Sequence, residues 1–160
     1  RFQRMNTLFA EEIRPHHSMR TLALGLLSDS DLAFRLPGRN PTLGELFVEM
    51  GDIQGVYTHS FETFQLDWDH RRLPPPVPPT VATLEAWFAD HDNAMDQALS
   101  RFTEEELHTP RIDRGHGFVA SPFTQHEIYR EAVYIFYGKL SVYLQALERD
   151  AGPEWAAWVG

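Results

Sequence analysis

The fold of this chain is decided near its carboxyl end by the stretch Glu131-Ala132-Val133-Tyr134-Ile135-Phe136-Tyr137-Gly138-Lys139-Leu140. It lacks proline, and its apolar residues recur at the three- and four-residue spacing of a helix with one buried face. Ser121 followed by Pro122 is a good start for this helix, because serine accepts an N-terminal amide hydrogen bond and proline is tolerated at the first helical position. We expect the helix to continue to about Arg149. Its predicted inner face carries Tyr129, Ala132 or Val133, Phe136, Leu140, Tyr143 and Leu147.

Three further amphipathic segments precede this helix. The first runs over about residues 2–27, and Pro15 is expected to kink or restart it. The second begins near Thr42, which forms a capping box with Glu45, and the third covers about residues 80–102. The predicted inner faces are, for the first helix, Leu8, Phe9, Ile13, His17, Arg20, Leu24 and Leu27; for the second, Leu46, Glu49 or Met50, Ile53, Tyr57 and Phe61; and for the third, Leu84, Trp87 or Phe88, His91, Met95, Ala98 or Leu99, and Phe102.

The connections between these segments contain strong turn signals. The run from Leu73 to Pro79 holds five prolines and cannot be helical, so it is predicted to be an extended connection between helices 2 and 3. Thr103 and Glu106 make another capping box before a short helical turn. Sustained alternation of apolar and polar residues is missing from the rest of the sequence. The prediction is an all-α four-helix bundle, with residues 1–160 forming a single domain.

Composition limits the classes of function. The formal net charge is -9 and the 14 lysines and arginines are scattered, which argues against nucleic-acid and anionic-membrane binding. Cysteine is absent, so disulfides, thiolate metal sites and cysteine nucleophiles are excluded. No apolar run approaches the ~20 residues that span a bilayer, and the amino-terminal end lacks the apolar centre of a signal peptide. We expect a cytoplasmic protein.

The order of the elements resembles that of the DinB/YfiT-like family, and the resemblance covers nearly the whole chain. It implies a four-helix bundle that commonly holds a divalent metal between one histidine on the second helix and a His-x-x-x-His pair on the fourth. Some family members are thiol transferases or hydrolase-like enzymes. The motifs that carry the resemblance are Asp31-Leu32-Ala33-Phe34-Arg35, Thr42-Leu43-Gly44-Glu45-Leu46 and Gly138-Lys139-Leu140-Ser141-Val142-Tyr143-Leu144.

The resemblance places the metal-ligand positions of the family on residues that differ from its pattern. Counted from Gly138-Lys139, the paired histidine positions fall on Ala132 and Phe136, and the second-helix position falls on Glu49. Alanine and phenylalanine cannot ligate a metal. We therefore expect the three-histidine centre to be absent and no cofactor to be bound, with a divalent Zn, Ni or Mn ion as the alternative.

Glu49 is predicted to lie among apolar neighbours, where an ionised carboxylate needs a partner. Arg20 or His91 could supply it. One interpretation is a buried polar network that fixes the register of the helices. The other is a functional pocket, with Glu49, His91, Tyr129, His17 and Arg20 as its candidate residues.

Three functional hypotheses follow from the sequence. The first is a small-molecule-binding or stress-associated protein that has lost the metal centre. The second is a metal-dependent hydrolase or thiol-transferase-like enzyme with a relocated site around Glu49 and His91. The third is a scaffold that binds a protein through the proline run or through the tail with Trp155 and Trp158, which is expected to pack on the bundle or at a subunit contact. A homodimer is expected by family analogy.

Overall fold

The computed structural model describes residues 7–160, with the side chains of Thr7 and Leu8 outside the description. The predicted start of the first helix near Phe2 and the predicted inward position of Leu8 therefore lie outside the described residues. The predicted all-α class is confirmed. In chain order the elements are α1 (Thr7–Leu24), a 3-10 helix (Asp29–Ala33), α2 (Leu43–Thr63), α3 (Val81–Leu99), α4 (Glu104–His108), β1 (Ile112–Asp113), β2 (Val119–Ala120), α5 (Pro122–Ala146) and α6 (Gly152–Val159).

The four long helices, α1, α2, α3 and α5, pack around a common core. α1 packs against α3 and α5, and α2 also packs against α3 and α5. The first two long helices therefore occupy opposite corners of the bundle instead of adjacent ones. Aromatic rings fill one level of the core, where Phe47 of α2 lies between Phe88 of α3 and Phe136 of α5, with ring centroids 6.3 and 6.1 Å away.

The helix starts agree with the capping signals of the sequence. In α2 the amide of Glu45 donates to Thr42 Oγ1 over 3.1 Å, and the amide of Thr42 donates to Glu45 Oε2 over 2.7 Å. Thr103 and Glu106 form the same reciprocal pair at the start of α4. Ser121 accepts an amide hydrogen bond at the start of α5. These local bonds satisfy amides that otherwise lack a partner at a helix start.

Of the two effects predicted for Pro15, a kink or a restart, the restart does not occur, because Pro15 lies inside one continuous α1. Proline removes one backbone hydrogen bond, and burial of Ile13 before it and His17 after it holds both parts of the helix against the bundle. Two elements were not predicted: an antiparallel pair of two-residue strands, in which Ile112 faces Ala120, and the short helix α6.

α6 returns the carboxyl-terminal tail to the bundle, as predicted. Trp155 is buried, and its indole Nε1 donates to Ser141 Oγ on α5 over 2.8 Å. Trp158 is half exposed and stacks beside Tyr134 with ring centroids 6.5 Å apart. The tail therefore contributes one tryptophan anchored on α5 and one exposed tryptophan that also lies beside His16 of α1.

The segment between α2 and α3 follows the surface without regular structure. We call residues 74–79 the proline strap. It runs beside the 3-10 helix and the first turns of α2, and Val77 at its middle is 89% exposed. Its carboxyl end is fixed where the amide of Val81 donates to Asp29 Oδ1 over 2.8 Å. Among the helices between residues 7 and 160, none has the length and apolarity needed to cross a membrane.

Candidate functional site

A closed set of hydrogen bonds joins three of the long helices at the centre of the bundle. Arg20 of α1 donates through Nη2 to Asp92 Oδ2 of α3 over 2.7 Å, and through Nη1 to Gln54 Oε1 of α2 over 3.1 Å. Gln54 Nε2 donates to Asp92 Oδ1 over 2.8 Å. Because α1 and α2 stand at opposite corners, the Arg20–Gln54 bond crosses the middle of the core.

His17 extends this network to the fourth long helix. Its Nδ1 lies 3.1 Å from Asp92 Oδ1, and its Nε2 lies 2.7 Å from the hydroxyl of Tyr129 on α5. Burial lowers the pKa of His17 to about 3, so the ring is neutral at pH 7. A neutral imidazole has one donor and one acceptor, which assigns Nδ1–H as the donor to Asp92 and Nε2 as the acceptor from Tyr129.

The network balances its own charge. Burial alone would raise the pKa of the Asp92 carboxyl, but the charge of Arg20 and the hydrogen bonds from Arg20 and Gln54 outweigh burial and lower that pKa. Arg20 is 1% exposed, and its guanidinium also lies 3.9 Å from the ring centroid of Phe88. One buried cation therefore meets one half-buried carboxylate, with polar groups from four helices around them. We call Arg20, Gln54, Asp92, His17 and Tyr129 the central network.

The order hydroxyl, imidazole, carboxylate in Tyr129, His17 and Asp92 is that of a nucleophilic triad. These three residues do not form a catalytic triad, because Tyr129 is buried and burial raises the pKa of its hydroxyl well above the usual value. A protonated, enclosed hydroxyl is a hydrogen-bond donor and not a nucleophile. The arrangement fixes the relative positions of the helices.

The structure brings together three of the five residues proposed from the sequence. His17, Arg20 and Tyr129 are members of the central network, and His91 is buried close by, with its ring 4.7 Å from that of Trp87. Glu49 is exposed and lines two surface grooves away from these residues.

The expectation that Glu49 shares a pocket with His91, or pairs with Arg20, is thus wrong, because Glu49 lies on the surface away from both residues. The reason is the rotational position of α2. Met50, not Glu49, faces the core, and Gln54, which does reach Arg20, points about 140° away from Glu49 because the two are five residues apart on the helix.

The positions assigned to metal ligands do not fit a metal ion. Phe136 is buried against Phe47, Ala132 is half buried, and Glu49 lies outside the core. In the central network, Asp92 is already bonded to Arg20, whose positive charge would repel a divalent cation beside it. Among the described residues, no group of three or more histidine, cysteine or acidic side chains is arranged to hold a metal.

Two residues of the central network were missed by the sequence reasoning. Asp92 had a detectable signal: Arg20 was predicted to be buried, a buried arginine needs an acid, and Asp92 adjoins the inward His91. Gln54 had none, because a glutamine between Ile53 and Gly55 in an amphipathic helix looks like an ordinary polar position. Its role depends on a partner that only the packing of α1 across the core supplies.

Two histidines are buried without hydrogen-bond partners among the described residues. Neither nitrogen of His91 or His126 has one. The ring of His126 lies 4.4 Å from that of Phe9, and Glu127 Oε1 is 3.8 Å from its Nδ1, beyond hydrogen-bond distance. Burial, with smaller effects of Arg130 and His16, lowers the pKa of His126 to about 4.

We expect acid to destabilise the protein through His126. The unfolded chain binds this proton near pH 6.5 and the folded chain near pH 4, so the unfolded state holds more protons between these values and the free energy of unfolding falls as the pH drops. His126→Leu should reduce the loss between pH 7 and pH 5 by about 1–2 kcal/mol in urea titrations. His108→Gln, at an exposed position, is the control. Equal pH dependence in wild type and His126→Leu would contradict this account.

Comparison with known proteins identifies related sequences and folds. The model of the DinB superfamily matches residues 16–135. The crystal structure of a DinB-like protein, YjoA from Bacillus subtilis, superposes with a TM-score of 0.73 over 91% of this chain and 95% of that chain, at 13% sequence identity. At this identity the likeness concerns the fold alone. No curated protein matches the chain.

Proposed function

Because this chain belongs to the DinB superfamily and closes the centre of its bundle with a charge-balanced network, we propose that it binds a small, mainly apolar organic molecule without a metal ion. The observation that carries the proposal is the contact of 2.7 Å between Arg20 and Asp92. It places a permanent positive charge at the carboxylate that a central metal ion would need. The family resemblance implied a metal centre between the helices, and the side chains here are committed to one another.

The ligand site that we propose lies at the edge of the bundle. A groove of about 520 Å³ runs between the 3-10 helix, the first turns of α2 and the proline strap. This volume falls within the range of small-molecule sites. We call it the strap groove. Its lining residues are Leu32 and Ala33 on one side, Val48 on another, and residues 75–79 on the third, with Asp29, Thr42 and Glu45 at its polar positions.

The two carboxylates of the strap groove indicate the charge of the ligand. Asp29 accepts the amide of Val81, and Glu45 accepts the amide of Thr42, so both are held in place as acceptors. Fixed carboxylates repel anions. We therefore expect a neutral or positively charged molecule whose apolar part lies against Leu32, Val48 and the prolines.

The strap groove and the central network are in different parts of the molecule, and the two have different roles in this proposal. The network has enclosed members such as Tyr129 and Arg20, which suits a positioning role in the fold. The groove is open to solvent and mainly apolar, which suits ligand entry. A hydrolytic or thiol-transfer site around Glu49 and His91 is not supported, since His91 is buried and Glu49 lies on the surface.

The neutral dye Nile red provides a test of the strap groove. We expect its fluorescence to rise on titration with the protein, with and without EDTA. Ala33→Trp should weaken binding by about tenfold, because a large ring at this exposed lining position fills the groove. The matched control is Ala89→Trp, which places the same ring on an exposed position of α3.

Metal independence is tested on the same protein by elemental analysis after incubation with zinc, nickel and manganese and dialysis. Background metal together with Nile red binding that Ala33→Trp weakens and Ala89→Trp leaves unchanged would support the proposal. Near-stoichiometric metal, or loss of dye binding in EDTA, would overturn the metal-free part. Equal dye binding by both tryptophan variants would overturn the location of the site.

A further inference from the structure

The outer face of α5 carries an exposed, mainly apolar stripe. Ile135 is 65% exposed and Val142 is 50% exposed. They share this face with half-buried Ile128 and with the exposed, charged Glu131 and Lys139. These five residues, at spacings of three and four, form a line of about 21 Å along the helix. We call them the α5 stripe.

The α5 stripe is symmetric about Ile135. Ile128 and Val142 each lie seven residues from it, one on either side, and Glu131 and Lys139 each lie four residues from it. The neighbouring small residues, Ala132 and Gly138, are each three residues away. Apolar residues thus occupy matching places in the two halves, small residues do the same, and the two charges at matching places are opposite.

We propose that the α5 stripe binds the α5 stripe of a second copy of this chain, in antiparallel orientation, with the two-fold axis at Ile135. A two-fold axis places residue 135+n of one copy opposite residue 135−n of the other. Ile128 then meets the partner copy's equivalent of Val142 at each end, and Glu131 meets the equivalent of Lys139. The small residues beside Ile135 permit close approach of the two helices.

The charges favour a second copy as the occupant. Neither Glu131 nor Lys139 makes an ion pair with another residue of the described chain, and their separation of eight residues, about 12 Å along the helix, prevents contact with each other. Antiparallel self-association gives both charges opposite partners at once. A parallel arrangement in register would place Glu131 against its own equivalent and Lys139 against its own, which is repulsive.

Charge reversal gives a test that distinguishes a second copy from any other partner. Sedimentation equilibrium is measured on the full chain, on Glu131→Lys, on Lys139→Glu, on their equimolar mixture and on the double variant. Each single reversal replaces two attractive contacts by two repulsive ones, so we expect the dimer dissociation constant to rise about tenfold. For the double variant and for the mixture, the dimer dissociation constant should lie within about threefold of the wild-type value.

A charged residue in place of Ile135 tests the apolar centre of the stripe. Ile135→Asp should leave the protein monomeric at concentrations where the wild type is a dimer. Val77→Asp, at the exposed middle of the proline strap, is the matched control and should dimerise like the wild type. Both positions are exposed, so circular dichroism should show unchanged helicity.

The antiparallel pairing is supported if each single charge reversal weakens dimerisation and if the double variant and the mixture dimerise again like the wild type. A wild type that stays monomeric up to millimolar concentration overturns the proposal, as does a dimer that Ile135→Asp leaves intact. The proposal is also overturned if the single reversals weaken dimerisation but the double variant and the mixture do not restore it, because a contact with a different surface would not be restored by exchanging Glu131 and Lys139.

Discussion

Asp92→Ala is expected to lower the free energy of unfolding by about 3–5 kcal/mol, a large share of the stability of a domain of this size. The substitution removes the carboxylate that Arg20 contacts over 2.7 Å and leaves the guanidinium buried and unpaired. It also removes acceptors from Gln54 and His17. The measurement is urea denaturation at pH 7, followed by circular dichroism.

Asp90, two residues before Asp92, provides the control for this prediction. Asp90→Ala changes the same residue type on the same helix at an exposed position, and we expect no measurable loss. The double variant Arg20→Met/Asp92→Leu removes both charges and should be more stable than Asp92→Ala, because no uncompensated ion remains. Similar effects of Asp90→Ala and Asp92→Ala would show that the central network does not stabilise the fold.

Gly51→Val is expected to lower the free energy of unfolding by at least about 3 kcal/mol. A Cβ atom at position 51 would lie 2.2 Å from Cζ3 and 2.3 Å from Cη2 of Trp87, well inside van der Waals contact. The indole is buried beside Phe88 and His91 and has little room to move. Thermal and urea unfolding measure the loss.

Two comparisons identify the clash as the cause. The cost of Gly51→Val should be smaller in a Trp87→Leu background, where the colliding ring atoms are gone. Gly138→Ala, at a helical position with no heavy atom within 4 Å of an added Cβ, should raise stability by about 0.5–1 kcal/mol. An equal cost of Gly51→Val in both backgrounds would assign the effect to something other than Trp87.

The helices could be predicted from the sequence because their signals are local. Thr42 with Glu45 and Ser121 with Pro122 start their helices in the structure as expected, since capping depends on residues within one turn. Short elements are different. The two-residue strands at Ile112 and Val119 are stabilised by contacts with the rest of the protein, which a period of two or 3.6 residues cannot reveal over so few positions.

The candidate site was less predictable because it depends on the rotation of each helix. His17, Arg20 and Tyr129 were placed inward correctly, since apolar neighbours on both sides define the face on which they lie. On α2 the choice between Glu49 and Met50 was open from the sequence. One residue turns a helix face by about 100°, enough to move an acid from the core to a surface groove.

The crossing bond between Arg20 and Gln54 has a consequence for how the chain selects its topology. Apolar faces alone would let four helices assemble in several orders around one core, with little difference in buried area. If each helix stood beside its predecessor in the sequence, α3 would be diagonal to α1. The short Asp92 side chain would then face Arg20 across the middle of the core, a distance that the longer Gln54 side chain spans in this fold. A single ionic contact thus makes the alternative arrangements of the same four helices unfavourable, and it specifies which corner each helix occupies.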